Sequence, residues 1–372
     1  MILSQLFNSS GFVLTAPNRT YIGTVTESCP VHVGGGVLHM KRYWMLLLAV
    51  LPLLVIALPA VLVDHSVKEE PPTGQVASPA TGPAYPDNQP VVKVYRTEAN
   101  KIDTVPLEAY VEGVVAAEMP AEFELEALKA QALAARTYIV KRLQEGRFDD
   151  VPAGAHVVDS VKHQAYLDDA QRRERWGAQY EWKTRRIQQA VADTAGKVLT
   201  YEGKPIDATF FSTSNGFTEN ANEYWERPVP YLRSVPSPWD IESPRFEERK
   251  VLSVGELEQK LGVKISAAAA SNGSWYQVLD RTTGNRIGKV RVGEKEFSGR
   301  EIREKLGLNS SAFTMHVESN RVIITTRGYG HGVGMSQWGA NGMAKSGKKA
   351  EQIVKYFYQG VTLQDYREIL MS

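Results

Sequence analysis

A continuous apolar segment near the N-terminus divides the chain into parts that cannot share one fold. It runs from Tyr43 to Val63 as YWMLLLAVLPLLVIALPAVLV, close to the ~20 apolar residues that cross a bilayer as a helix. Lys41 and Arg42 precede it, and cationic residues stay on the cytoplasmic side. We therefore predict one transmembrane helix with everything after Asp64 outside the cytoplasm. A cleaved signal peptide is the alternative, although its apolar region is usually shorter.

Four segments follow from this interpretation. Residues 1–39 show no helical or strand period and are interpreted as a non-native extension, with translation starting at Met40; a disordered cytoplasmic tail is the alternative. Residues 40–65 form the membrane anchor. Residues 66–90 form a proline-rich linker, which favours extended chain and cannot make a core. Residues 91–372 are expected to form a single extracytoplasmic domain.

Hydrophobic periodicity within this domain predicts an α+β fold. The strongest helical pattern is ELEALKAQALAARTYIVKRLQEG, where apolar residues recur at three- and four-residue steps and Gly146 ends the run. Short β-rich runs such as VVKVY, KVRV and RVIITT lie on either side of it, and KVLTYEGKPIDATFF predicts a hairpin. Because strands and helices do not alternate strictly, we predict a mixed domain with a long central helix and short antiparallel strands.

Charge and metal-ligand content exclude several kinds of partner. The formal net charge is +1, whereas duplex-binding domains usually carry a marked basic excess, so no nucleic acid is expected and a sugar polymer fits better. The only cysteine is Cys29, which excludes an intrachain disulfide and a cysteine-based metal site. His156 and His163, with Asp159 between them, are too few for structural zinc, which takes four ligands. We expect no metal and no other cofactor.

Three stretches contain residues suited to chemistry: VVAAEMPAEFELEALKAQALAARTY, FFSTSNGFTENANEYW and RGYGHGVGMSQWGANGMAKSGKKAEQIVKYFY. In this order they resemble the stage II sporulation protein D family, which includes peptidoglycan lytic transglycosylases and amidase-enhancer-like proteins. The resemblance extends from about Val91 to Tyr366. It implies a cell-membrane protein that acts in septal wall remodelling and engulfment during sporulation, on glycan strands stripped of stem peptides. It also implies a cell-wall amidase or endopeptidase and a membrane protein of the engulfment complex as partners.

Glu118 is the predicted catalytic acid. Val114 to Ala117 precede it and Met119 and Pro120 follow, and an apolar setting raises a carboxyl pKa so that the group keeps a proton near neutral pH. A lytic transglycosylase can work with one such acid, because the 6-hydroxyl of muramic acid attacks its own anomeric carbon and leaves a 1,6-anhydro end. The alternative is an ordinary helix-end carboxylate satisfied by backbone amides.

The predicted substrate-binding residues come from all three stretches. Cations seven residues apart on the central helix share one face, hydroxyl and amide groups at a strand end suit sugar hydroxyls, and a glycine-rich loop lets the backbone approach a ligand. A solvated face, a polar turn and a buried loop are the respective alternatives. The residues are Lys129, Arg136, Ser212, Ser214, Asn215, Gly216, His331 and Gln337.

A non-catalytic glycan-binding protein that enhances a separate cell-wall amidase is the rival hypothesis. Both hypotheses require a sugar-binding cleft, but a protein that only binds glycan has no need of an acid in an apolar setting. The presence or absence of chemistry at Glu118 therefore distinguishes them.

Overall fold

The computed structural model describes Tyr85, residues 88–225 and residues 227–371, all of which belong to the compact unit Ser78–Ser372. Within these described residues, no helix is both long and apolar enough to cross a membrane. The predicted transmembrane segment, Tyr43–Val63, lies outside them, as do the N-terminal extension and most of the linker.

A long helix, α2, lies at the centre of the fold, as the periodicity predicts. It runs from Leu125 to Glu145 and ends where Gly146 adopts a left-handed conformation, with a φ of 62°. All five of its alanines are fully buried, and their small side chains let neighbouring helices approach closely. The helices are α1 Leu107–Glu118, α2 Leu125–Glu145, α3 Asp169–Trp176, α4 Tyr180–Ala192, α5 Ala221–Trp225, α6 Val254–Leu261, α7 Ala267–Asn272, α8 Gly299–Leu306, α9 Gln337–Lys345, α10 Ala350–Phe357 and α11 Tyr366–Leu370.

The strands are short and most of them pair antiparallel, which confirms the mixed α+β prediction. They are β1 Val91–Arg96, β2 Lys101–Pro106, β3 Val157–Val158, β4 Lys197–Tyr201, β5 Lys204–Pro205, β6 Phe210–Phe211, β7 Glu247–Ser253, β8 Tyr276–Arg281, β9 Ile287–Val292, β10 Lys295–Ser298, β11 Phe313–Glu318, β12 Arg321–Arg327, β13 Met335–Ser336 and β14 Thr362–Asp365. The predicted hairpin is present in β4 and β5. Its last residues instead form β6, which pairs in parallel with β13.

Two apolar cores lie within the described part of the chain. The larger surrounds α2 and includes Val235 and Val333. The smaller is built from residues 247–327, with Leu257, Val290 and Ile324 among its members. Because the chain leaves the larger core before this segment and returns to it afterwards, we call residues 247–327 the inserted lobe.

Candidate active site

Glu118 is the last residue of α1. Met119 is already extended, with a φ of −125° and a ψ of 136°, because a residue before proline disfavours the helical conformation and Pro120 comes next. The helix therefore stops at this point, and the carboxyl of Glu118 lies at its end instead of among the buried side chains along its length.

The Glu118 carboxyl is half-buried, and its Oε1 accepts a hydrogen bond from the N–H of Ala165 at 2.8 Å. Burial raises the pKa of this carboxyl above its ordinary value, while the Ala165 amide opposes the rise by stabilising the ionised form. The net effect is that Glu118 keeps its proton at a higher pH than an exposed glutamate, which is what a general acid requires.

Two hollows meet at Glu118 and together form a cleft. One, of about 470 Å³, follows the end of α1 towards Trp176. The other, of about 550 Å³, extends towards the glycine-rich loop before β13. The residues that line both hollows are Glu118, Ser212, Arg245 and Gln337. We call this shared set the cleft junction.

The three stretches identified in the sequence converge on the junction. Ser212 follows β6 and its carbonyl accepts the N–H of Trp338 at 3.1 Å, next to the parallel pairing of β6 with β13. Gln337 is the first residue of α9, and its Nε2 lies 3.5 Å from Oε1 of Gln131 on α2. Contacts between residues far apart in sequence thus place Ser212 and Gln337 beside Glu118.

His331 also lines the cleft, in the hollow next to the glycine-rich loop. Its ring lies among Phe211, Tyr224 and Trp225, with centroids 5.6, 5.9 and 5.6 Å away. Burial lowers its pKa to about 4, so the ring is neutral at physiological pH. Nδ1 accepts the N–H of Val333 at 3.1 Å, which leaves the proton on Nε2. The backbone of Phe210 is a further hydrogen-bond partner of the imidazole, so His331 lines the cleft as a neutral ring with partners inside the protein.

The structure places both predicted cations of the central helix outside the cleft lining. This corrects the assignment of Arg136 to substrate, whereas the assignment of the half-buried Lys129 stays a prediction. Arg136 is fully buried, and its guanidinium binds the carboxylate of Glu108 at 2.7 Å. Lys129 forms ion pairs with Asp193 at 2.8 Å and Glu126 at 3.0 Å. Their spacing puts them on one face as predicted, and that face packs against α1 and the end of α4.

The polar turn after β6 also has a structural role at three of its four predicted positions. Ser214 is fully buried, and its N–H donates to Oδ1 of Asp240 at 2.6 Å. The amide of Asn215 donates to the carbonyl of Gly284 in the inserted lobe at 3.0 Å. Gly216 has a φ of 106°, a backbone conformation that favours glycine. Ser214, Asn215 and Gly216 therefore shape the turn, while Ser212 reaches the cleft.

Several cleft residues were missed by the sequence analysis. They are aromatic residues, whose faces suit sugar rings, and cations. Tyr138 ends the first of the three stretches and Tyr329 lies within the glycine-rich one, so these two were the most open to detection; the others lie outside the three stretches. The missed residues are Tyr138, Arg175, Trp176, Lys183, Arg245, Arg303 and Tyr329.

The histidines weighed as metal ligands have other partners. His163 places Nε2 2.9 Å from Oδ2 of Asp150, and Asp159 accepts the Nε–H of Arg96 at 3.0 Å. His156 accepts a backbone N–H through Nδ1 at 3.3 Å. No group of three His, Cys, Asp or Glu side chains within the described ranges is arranged to hold a metal ion.

Comparison with known proteins gives a consistent set of relatives. A family model described as Stage II sporulation protein matches residues 95–201. The chain is 48% identical to the Stage II sporulation protein D of Bacillus subtilis (strain 168) over 274 residues, which is 74% of this chain and 79% of that protein. It is 47% identical to the Stage II sporulation protein D of Bacillus amyloliquefaciens over 283 residues, 76% of this chain and 81% of that one. It is also 28% identical to the Amidase enhancer of Bacillus subtilis (strain 168) over 312 residues, 68% of this chain and 40% of that protein.

Proposed function

The chain belongs to the stage II sporulation protein D family, and we propose that it is a lytic transglycosylase. Its substrate is the glycan strand of peptidoglycan, stripped of stem peptides, and its products end in 1,6-anhydro-N-acetylmuramic acid. The observation that supports this most directly is the half-buried Glu118 carboxyl, whose pKa is raised by burial, at the junction of the cleft.

In the proposed reaction Glu118 acts first as an acid and then as a base. Its proton goes to the glycosidic oxygen, the bond from that oxygen to the anomeric carbon of muramic acid breaks, and the chain beyond departs as an alcohol. The 6-hydroxyl of the same muramic acid then bonds to the anomeric carbon and gives its proton to the Glu118 carboxylate. The attacking hydroxyl is already tethered, so its effective concentration is high, and the enzyme ends in its starting state.

The carboxylates that line the cleft support this reaction over hydrolysis. Among the described lining residues these are Glu118 and Glu122. Partial burial pushes the pKa of Glu122 up, but the hydrogen bond and charge of Lys183, 2.7 Å away, together with Arg186, hold it below its ordinary value. A glycoside hydrolase usually needs a second carboxylate as nucleophile or base, and Glu122 is instead occupied by a cation.

We place this activity at the cell wall of the sporulating cell. The family membership and the similarity to a protein named Amidase enhancer support a role linked to the wall and to sporulation. The proposal includes a single membrane anchor at Tyr43–Val63, a C-terminal domain in the septal space, and action beside a cell-wall amidase or endopeptidase and a membrane protein of the engulfment complex.

The second function we consider is non-catalytic enhancement of an amidase, which the Amidase enhancer similarity favours. It would use the same cleft to hold glycan while a separate enzyme cuts amide bonds. It gives no role to a carboxyl that keeps its proton at the cleft junction.

The test is product analysis by mass spectrometry after the full-length protein is incubated with stripped glycan strands. We expect 1,6-anhydro ends, lighter by one water than hydrolytic reducing ends. Glu118→Gln should fold yet cleave about 10² to 10⁴ times more slowly, the usual worth of general acid catalysis, whereas Glu122→Gln should cleave nearly as fast as the wild type. Reducing ends, or an equal loss in Glu122→Gln, would indicate a two-carboxylate hydrolase. If the glycan stays intact and the protein accelerates an added amidase, the enhancer function is established.

A further inference from the structure

Arg245 is held at the cleft junction by its surroundings. It follows Pro244, and its backbone N–H donates to Oγ of Ser243 at 3.2 Å. Its guanidinium carbon lies 4.6 Å from the ring centroid of Tyr329, close enough for a cation–π contact. This contact fixes the face of the guanidinium and leaves its N–H edges free to bind a ligand.

The guanidinium has no carboxylate partner within 4.0 Å among the residues that the structure describes, and it does not serve the catalytic acid either. The influences on the pKa of Glu118 are burial and the Ala165 amide, with no contribution from a cation. By contrast, Lys183 in the same cleft is paired with Glu122. Arg245 is therefore an exposed cation of the cleft junction whose guanidinium is available to bind an anion.

The proposed substrate supplies such an anion close to the bond that breaks. The junction holds Glu118, so the muramic acid whose anomeric carbon reacts must lie there. That sugar carries a lactyl group, which is a free carboxylate when the stem peptide has been removed and an uncharged amide when the peptide is present. Arginine binds carboxylates through two parallel N–H donors, a geometry that an amide cannot match.

We propose that Arg245 binds the lactyl carboxylate of the reacting muramic acid and thereby selects strands without stem peptides. This inference rests on the proposed function. It makes Arg245 a specificity-determining residue that contacts substrate in the cleft it shares with Glu118.

The experiment compares two matched substrates: stripped glycan strands, and the same strands after conversion of the lactyl carboxylates to methylamides. We expect wild-type kcat/KM to be about 10- to 100-fold higher on the free carboxylate, the usual effect of a charge-assisted hydrogen bond. Arg245→Gln should lose that factor on stripped strands and keep the wild-type value on the amidated ones. On stripped strands, the kcat/KM of Arg245→Lys should lie between those of the wild type and Arg245→Gln, because lysine keeps the charge but lacks the two parallel N–H donors. Arg249→Gln, at an exposed position on β7, is the matched control and should behave as wild type.

Equal losses on both substrates, or no loss on either, would overturn the assignment. Binding of both substrates to full-length Glu118→Gln, with and without Arg245→Gln, separates this inference from the proposed function. If Glu118→Gln binds the stripped strands selectively and loses this selectivity with Arg245→Gln, but the wild type cleaves neither substrate, the carboxylate site is supported and the transglycosylase activity is refuted. If the wild type instead produces 1,6-anhydro ends from both substrates at the same rate, the transglycosylase activity is supported and the role of Arg245 is refuted.

Discussion

At the scale of single residues, the proposed chemistry depends on how Glu118 is solvated. Its carboxyl is half-buried at a helix end, so ionisation costs more than in water, and one backbone amide offsets part of that cost. His331, in the same cleft, is kept neutral by burial, which lowers its pKa to about 4. Burial thus shifts both pKa values towards the uncharged form, upwards for the Glu118 carboxyl and downwards for the His331 imidazole.

The raised pKa of Glu118 predicts a pH dependence of both activity and stability. The acid must be protonated, so kcat/KM should fall as pH rises through the folded-state pKa, above the ~4.3 of a model glutamate. In the folded state the protonated form is favoured, so the stability that Glu118 contributes at low pH is lost as pH rises from the unfolded to the folded pKa. Glu118→Gln should therefore melt at a higher temperature than wild type at pH 7 and at the same temperature near pH 3. Equal melting temperatures at both pH values would show that burial does not perturb this carboxyl.

At the scale of elements, buried polar contacts hold the helices around α2. Arg136 on α2 binds Glu108 in the first turn of α1, and it donates to the carbonyl of Val191 on α4 at 3.2 Å. Lys129, two turns earlier on the same helix, makes its ion pairs near the surface. The two cations share a helix face but differ in burial, which sets what each contributes.

This difference predicts unequal costs of substitution. Arg136→Met should lower the free energy of unfolding by about 3–5 kcal/mol, because it leaves the buried Glu108 carboxylate without a counter-ion. Lys129→Met, the matched control, should cost less, about 1 kcal/mol, because its partners Glu126 and Asp193 are partly exposed and water can solvate them when the cation is removed. Urea denaturation measures both, and the double variant Arg136→Met with Glu108→Leu should recover much of the loss. If Lys129→Met cleaves much more slowly but is as stable as the wild type, Lys129 contacts substrate as the sequence predicts.

At the scale of the whole described unit, buried polar contacts join the inserted lobe to the glycine-rich loop before β13. Arg286 of the lobe is buried, donates to the carbonyl of Phe217 at 3.2 Å and lies 3.8 Å from the carboxylate of Glu219. The Glu219 N–H donates to the carbonyl of Gly332 in the loop that carries His331. A Cβ atom on Gly332 would lie 2.3 Å from the guanidinium carbon of Arg286.

We predict that Gly332→Ala destabilises the protein and slows cleavage, while Gly347→Ala has the smaller effect. Both glycines have positive φ, 90° and 82°, so both variants pay for strained backbone, roughly 1–2 kcal/mol. Only at position 332 does the new methyl collide with a buried side chain, which adds about 1–3 kcal/mol of overpacking. Urea denaturation measures the loss of stability and the cleavage rate measures the loss of activity, and both are determined on the same samples. Equal behaviour of the two variants would mean that the lobe and the loop are not closely packed.

Features that depend on neighbours in sequence were predicted correctly. The period of apolar residues in α2 and the glycine after it are local signals, and the helix ends at the predicted residue. Pro120 likewise stops α1 at Glu118, so the position of this carboxyl at a helix end and its apolar neighbours in the chain were visible in the sequence. The family resemblance rested on the same kind of contiguous pattern, and the comparisons confirm it.

Features that depend on distant partners required the tertiary structure. Nothing near Arg136 shows that Glu108, a full helix away, will meet it in the core, and nothing near Ser214 shows that Asp240 will accept its amide hydrogen. Arg245 has no motif of its own, and it becomes a cleft residue because the chain folds it over Tyr329. A side chain's type and spacing determine which interactions it is able to make. Which of them it does make, with substrate or with the protein, depends on the groups that folding brings within a few ångströms and on how much water it leaves there.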